Sequence, residues 1–491
     1  MSRNLRPTLL IFFPIFFIVI ELVVYFYATL GPISFAALLL VCIPLFVVNP
    51  AINLIVLMLA LTFQSVLISI VSPFFEGRAD LSLVQGLHFS IILATALVGV
   101  LTIGFNRKLR RDIGWDRLFF ILWLIMLVNL FYLAYGVAKN GSVSAVIYFR
   151  NTTSVLLMVI IGWYLGAKLS RDNFLTVISA VLTAAVIYGL FEFFMTRSLY
   201  SLINADSFFR LKYEGRYDIS GLEDVLEFAK RPFLNLAVLE EIGLTTFRLS
   251  GPNMHAISYA YICSFALVFF AINKAYVRMA LSFFILLAIQ AKGPLFVIVL
   301  AFIGLVLTRK KTSFGWPVYF GLNVVYSVAA FIIGTATRDF HVIGLMGGVL
   351  GFLRNPFGYG LGAGGNLARE EFSWSDAQNA GAAAFGVESA VGVLLYQVGI
   401  ATFIFLFFYF RLSIWSENRM RSIPEISAYR IMPLMGIAIV FNGLFQEEAY
   451  NFFSLGFVFF FCMALIANFP IVRSVKASSH DTNFPEVTAQ A

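Results

Sequence analysis

The sequence predicts an all-α polytopic integral membrane protein with about 14 transmembrane helices, and three observations carry that prediction. Hydrophobic residues make up 60% of the 491, charged residues only 12%, and the mean hydropathy is +0.90, a composition outside the range of soluble domains. Apolar runs of roughly 20 residues, the length that crosses a bilayer, recur along nearly the whole chain. Lysine and arginine gather in alternate short connections, as the positive-inside rule requires of cytoplasmic loops. The same rule accounts for the net charge of +8, so the basic balance does not imply a nucleic-acid partner.

The first apolar run, near residues 8–29, follows a basic head. It is too long for a secretory signal and lacks a small-residue cleavage site, so it reads as a first span entering from the cytoplasm. Further spans are expected near 33–48, 51–71, 86–105, 118–138, 148–167 and 174–195, and after a long polar connection at 253–272. The apolar stretch from Met279 to Leu307 has the length of one long helix or two short ones. Lys274 and Arg278 precede it, while Arg309, Lys310 and Lys311 follow it. Both flanks belong on the cytoplasmic side, which demands two crossings, 277–290 and 293–308, with QAKGP as the hairpin between them. Spans near 315–334, 387–410, 431–445 and 451–470 complete a single membrane domain, residues 1–475, and 476–491 reads as a disordered cytoplasmic tail.

With both termini inside, 20 of the 34 lysines and arginines fall on the cytoplasmic side. Ten of the remaining 14 fall in two long outer loops, about 196–251 and 335–386. The first holds Arg197, Arg210, Lys212, Arg216, Lys230, Arg231 and Arg248, the second Arg338, Arg354 and Arg369. Long loops escape the positive-inside rule, so cations gathered there ask for an anionic partner. Within the first loop, LEDVLEFAKRP has the spacing of a short amphipathic helix ended by Pro232. The second loop is a long polar and glycine-rich insert, and irregular backbone must lie in water, a protein cavity or the interface because lipid cannot satisfy it. Chemistry is expected there.

Several side chains have types suited to such chemistry. Arg248 and Arg338 stand at outer membrane boundaries, where a guanidinium either snorkels to lipid headgroups or grips phosphate oxygens bidentately. Lys292, in the QAKGP hairpin, is costly toward lipid and is expected to face a polar cavity. Glu388 opens a helix, where it either serves as a cap or, with burial raising its pKa, as a general base. Glu447 and Glu448 form a rival pair at another outer turn, and Glu21 and Glu192 are intramembrane acids. Gly360, Gly362 and Gly365 match GxGxxG, which reads either as tight turns or as a backbone nest for phosphate. Cys42, Cys263 and Cys462 lack paired spacing, and His88, His255, His341 and His480 lack metal-ligand spacing. Neither a disulfide framework, a metal nor a cofactor is expected.

These pieces, in this order, resemble the O-antigen polymerase and ligase superfamily of bacterial envelope polysaccharide assembly. RLSGPNMHAISYA, from Arg248, is similar to its motif of Arg, a glycine, then Pro-Asn opening a helix. IQAKGPLF resembles its small-basic-glycine hairpin, with Lys292 where Arg is common. Arg338 followed by NPFGYGLGAG and a helix carrying LLYQVGI resembles its third motif. The likeness runs from Arg248 to Phe410, and Glu388-Ser389 in place of a His-Asn pair favours the Wzy-type polymerase branch over the ligases.

The resemblance implies a GT-C-like, inverting glycosyltransferase at the periplasmic face of a bacterial inner membrane, with undecaprenyl diphosphate-linked oligosaccharides as both substrates. It implies Glu388, Arg338 and Arg248 as the reacting constellation, and Lys292, Arg354, Asn253, Gly360 and Gly362 as diphosphate or substrate contacts. A chain-length regulator and a flippase are the implied protein partners. An O-antigen ligase, a polysaccharide flippase or transporter, and an assembly partner without chemistry are the alternative readings.

Overall fold

The computed structural model describes residues 33–105, 117–214, 218–233, 243, 245–309, 315–337, 339–365 and 388–469. The expected first span with Glu21, and Arg338, Arg369 and the tail, lie outside these described residues.

The described residues are helical almost throughout. Its first half contains α1 (Ile33–Val48), α2 (Pro50–Val71), α3 (Arg78–Val84), α4 (Leu87–Phe105), α5 (Arg117–Asn140), α6 (Ser142–Lys168), α7 (Arg171–Leu202), α8 (Ala205–Lys212) and α9 (Leu222–Ala229). A two-stranded antiparallel ribbon follows, β1 (Lys230–Pro232) pairing with β2 (Thr245–Phe247). The second half adds α10 (Ala256–Ile272), α11 (Tyr276–Ile289), α12 (Lys292–Leu307), α13 (Gly315–Thr337), α14 (Phe340–Arg354), α15 (Ala390–Val398), α16 (Thr402–Arg421), α17 (Ile431–Asn442) and α18 (Phe457–Ala467). Among the described residues, 8 helical segments are long and apolar enough to cross a membrane. The protein is therefore a membrane protein, and large exposed apolar side chains such as Leu127, Val325, Ile332 and Phe403 suit a lipid-facing surface.

Local chemistry sets the helix starts. Asn49 caps α2, its Oδ1 accepting the N–H groups of Ala51 and Ile52 at 3.1 and 3.2 Å, with Pro50 as the first helical residue. Packing is closest where side chains vanish. Gly162 and Gly166 on α6 lie against the backbone of α18, where a Cβ would come within 2.3 Å of Phe460 O and 2.1 Å of Ala464 O. That four-residue spacing of small residues lets two helix backbones meet without lipid between them.

Hydrogen bonds between distant segments define two ends of the bundle. At one end Arg171 Nη1 donates to Glu425 O at 3.3 Å, Tyr429 OH to Asn273 Oδ1 at 2.9 Å, and Arg430 Nη2 to Thr308 O at 3.1 Å. These are connections that the charge pattern assigned to the cytoplasm. At the opposite end, Gln290 Nε2 donates to Phe247 O at 3.4 Å and Tyr261 OH to Gln446 Oε1 at 2.9 Å. The stretch from Met279 to Leu307 is accordingly two helices of 14 and 16 residues, α11 and α12, turning at Gln290 and Ala291.

The expected loop 335–386 is corrected in its first part, because residues 340–354 form α14. Asp339 Oδ1 caps this helix by accepting the His341 N–H at 2.9 Å. Gly344, Gly347, Gly348 and Gly351 recur at helical spacing and are buried, and a Cβ on Gly348 would come within 2.3 Å of Gly392 in α15. The glycines of this segment form a packing face, not a loop.

Candidate functional site

The RLSGPN turn is held from inside the membrane domain. Glu192, fully buried in α7, accepts the Ser250 N–H on Oε1 and the Gly251 N–H on Oε2, both at 2.8 Å, and the Tyr200 hydroxyl on Oε1 at 2.8 Å. A carboxylate taking three such bonds fixes the turn that presents Arg248. Arg248 itself donates Nε to Ile289 O at 3.2 Å, so the Arg248 turn and the QAKGP hairpin meet. A Cβ on Gly293 would strike Gln446 Oε1 at 2.7 Å, which ties the same hairpin to the QEE turn after α17.

Around Arg248 the carboxylates converge. Glu388 and Glu448 both lie near enough for their charges to act on the Arg248 guanidinium, and Glu388 and Glu447 act on Glu448. Burial first, then those two neighbouring carboxylates, raises the Glu448 carboxyl from its ordinary 4.5 to about 8, and its Oε2 has no hydrogen-bond partner among the described residues. Glu447 Oε1 accepts the Tyr148 hydroxyl at 2.8 Å. Glu388 is not the cap of α15. Ser389 is, its Oγ accepting the Gly392 N–H at 2.9 Å. Glu388 instead sits in the left-handed region at φ 64°, with Oε2 3.7 Å and its carbonyl 3.2 Å from His341 Nδ1. The expected rivals, Glu388 and the Glu447–Glu448 pair, thus belong to one cluster.

Beside it, between α8, α9, the β-ribbon and the turn before α10, lies a cavity of about 130 Å3. Lys212, Arg231 and Arg248 give it a basic lining, His255 lines it as well, and Tyr213 and Phe228 add an aromatic side. Burial pushes Lys212 down from 10.5 to about 8, with Glu448 pulling the other way. His255 Nδ1 accepts the Ser258 N–H at 3.4 Å and caps α10, which leaves the proton on Nε2, 3.6 Å from Glu448 Oε1. Burial, then the Lys212 and Arg248 charges, lowers this imidazole to about 3, so at neutral pH the His255–Glu448 contact is not an ion pair.

The other expected contacts are distributed more widely. Lys292 is the first residue of α12 and exposed, and it does not line this cavity. Arg354 is exposed at the far end of α14. Asn253 is 6% exposed and its amide nitrogen and oxygen have no hydrogen-bond partner among the described residues, so it is a buried polar group awaiting one.

Gly360 and Gly362, at φ 91° and 81°, make a packing turn. The N–H groups of Gly358, Tyr359, Gly360 and Leu361 donate to Asn355, Tyr396, Gln397 and Tyr132 carbonyls, which removes them from any phosphate nest. Gly362 approaches Ser144 and Ala145 so closely that a Cβ would come within 2.6 Å. Among the described residues no group of three His, Cys, Asp or Glu side chains could hold a metal ion.

Among the described residues, four of the five non-glycine positions at positive φ, Asn204, Met254, Gln290 and Glu388, lie at this end of the bundle. Such backbone persists only where surroundings impose it. Lys212, His341 and Tyr148 joined the cluster without a motif to announce them, whereas His255 lay within RLSGPNMHAISYA without a role assigned to it. Glu192 had a signal, as an acid inside an apolar run. Compared with protein-family models the chain matches none, and no curated protein matches it either.

Proposed function

We propose that the protein is a membrane-embedded polymerase of a bacterial surface polysaccharide, an O-antigen, capsule or exopolysaccharide. It joins undecaprenyl diphosphate-linked repeat units at the outer face of the cytoplasmic membrane by inverting glycosyl transfer. The observation that carries this reading is the convergence of Arg248, Glu388 and Glu448, from three separated segments, beside a basic and aromatic cavity at one end of the bundle. In the proposed topology the chain crosses about 14 times with both termini inside. A flippase would supply its lipid-linked substrate and a chain-length regulator would limit its product.

In the reaction, a hydroxyl oxygen of the acceptor sugar attacks the anomeric carbon of the donor chain. The bond from that carbon to the diphosphate oxygen breaks, and undecaprenyl diphosphate leaves with the electron pair. The hydroxyl proton passes to Glu388, the carboxylate that His341 flanks. Arg248 and Arg338 meet the negative charge that develops on the departing diphosphate. Asn253 offers its unpartnered amide to the saccharide.

The test is purified protein in liposomes, supplied with a short diphosphate-lipid oligosaccharide as its only substrate and no nucleotide sugar. A ladder of longer lipid-linked chains supports the reading. No ladder from folded protein given its native repeat unit sinks it, and transfer to a different acceptor points to a ligase instead.

A further inference from the structure

We propose that the cavity beside Arg248 is a subsite for an acidic sugar of the substrate chain, a pyranose bearing a carboxylate, with Lys212 as its principal anchor. The inference rests on the reading of the protein as a saccharide transferase and adds the charge class of the saccharide.

Three basic side chains, Lys212, Arg231 and Arg248, line the cavity; Glu448 acts on Lys212 and Arg248, and Glu388 on Arg248 as well. Lys212 Nζ donates to Met254 O at 2.9 Å, and its other two protons have no hydrogen-bond partner among the described residues. The carbonyl it uses belongs to a bulky residue at φ 49°, a conformation that L side chains adopt only under constraint. Arg248, its Nε held by Ile289 O, stands at the edge of the cavity with its Nη groups left to the departing diphosphate, so Lys212 and Arg231 are the cations that the subsite itself offers.

The walls argue for a sugar over a bare phosphate. Tyr213 and Phe228 stand 5.2 Å apart, ring centre to ring centre, and Phe209 stacks on Tyr213 at 6.0 Å. Lys212 Nζ lies over the Phe209 and Tyr213 rings at 5.5 Å each, so the aromatic groups meet the cavity beside the cations they hold, and a pyranose gains their apolar contact where a phosphate does not. At about 130 Å3 the cavity takes a group of the size of one sugar ring and not a polyprenyl chain. Arg231, over Phe228 at 5.1 Å, stands at the exposed rim, where it meets an incoming anion first.

The experiment is calorimetric binding to the full-length protein in nanodiscs, with three probes: a glucuronate-containing disaccharide, its neutral glucose counterpart and inorganic pyrophosphate. The acidic disaccharide is expected to bind, the neutral one to bind at least tenfold more weakly, and pyrophosphate not to compete. Lys212→Met should weaken the acidic probe by about ten- to a hundredfold, the scale of a hydrogen bond to a charged group. Lys212→Arg should retain most of the affinity. Arg231→Gln, at an exposed position that does not threaten folding, should weaken it severalfold. Absence of binding by the acidic probe, equal binding of the neutral one, or no effect of Lys212→Met in protein that still melts cooperatively overturns the proposal. So does competition by pyrophosphate, which would assign the cavity to the leaving group. The two readings fail separately. A ladder from a neutral repeat unit, unaffected by Lys212→Met, removes the subsite and keeps the polymerase, whereas Lys212-dependent uronate binding without any ladder does the reverse.

Discussion

Glu192 reaches from the middle of the chain to hold Gly251: its Oε2 accepts the Gly251 N–H at 2.8 Å while Oε1 takes the N–H of Ser250 at 2.8 Å. The carboxylate is fully buried, so no water replaces it when it is removed. Glu192→Ala leaves two backbone donors and the Tyr200 hydroxyl unpaired, and each orphaned group costs about 1–3 kcal/mol. A large fall in thermal stability in nanodiscs is expected, with Glu192→Gln between the two. Wild-type melting for the alanine variant would show that the turn is held elsewhere.

Arg248 is expected to act on turnover more than on folding. Arg248→Ala should reduce chain extension by about a hundredfold or more, and Arg248→Lys should recover only part, because a point charge does not replace a planar fork. The gel ladder measures both. Equal ladders from wild type and Arg248→Ala would remove this residue from the chemistry.

Glu388 separates strain from function. Its φ of 64° is unfavourable for any residue with a Cβ. Glu388→Gly should leave stability unchanged or raise it by about 1 kcal/mol, yet reduce chain extension by about a hundredfold if the carboxylate takes the proton. Stability falling together with turnover would mean that Glu388 serves the fold alone.

Glu448 and His255 give opposite pH dependences. Glu448 binds its proton more tightly folded than unfolded, so its contribution is present below 4.5 and is lost as pH rises toward about 8. His255 resists protonation in the fold, so its contribution is present above 6.5 and is lost as pH falls toward about 3. Melting temperatures across this range should show the alkaline decline flatten in Glu448→Gln and the acid decline flatten in His255→Gln. Unchanged slopes would place both groups in water.

Gly166 tests the packing seam. A Cβ there would come within 2.1 Å of Ala464 O on α18, and rigid backbone gives way poorly. Gly166→Val should reduce the yield of folded protein well below wild type, while the same change at Gly104, whose Cβ position is open, should be tolerated.

Apolar runs and alternate charge clusters were enough to expose the helical membrane architecture and the turn at QAKGP. The splitting of α11 from α12 was readable because lysine and arginine flank the whole stretch on both sides. The glycine-rich insert misled for a physical reason: composition alone does not distinguish a flexible loop from a helix with a small-residue face. The helical spacing of Gly344, Gly348 and Gly351 was the available signal. Arg248 and Glu388 were legible as polar residues beside apolar runs. Their grouping with Glu448, His255 and Lys212 was not, because it depends on proximity across 200 residues of chain, as from Arg248 to Glu448.

The shortness of α11 and α12 bears on how a lipid-borne substrate meets the site. At 14 and 16 residues they rise only about 21 and 24 Å, short of the roughly 30 Å of hydrocarbon in a bilayer. A bilayer meeting this pair must thin locally or leave the hairpin below its outer surface. The carbonyl of Ile289, which holds Arg248, then lies at the floor of a dimple in the membrane. In the proposed reaction a diphosphate headgroup would slide sideways into such a dimple with its tail still in lipid, so that substrate would not have to be lifted out of the bilayer to react.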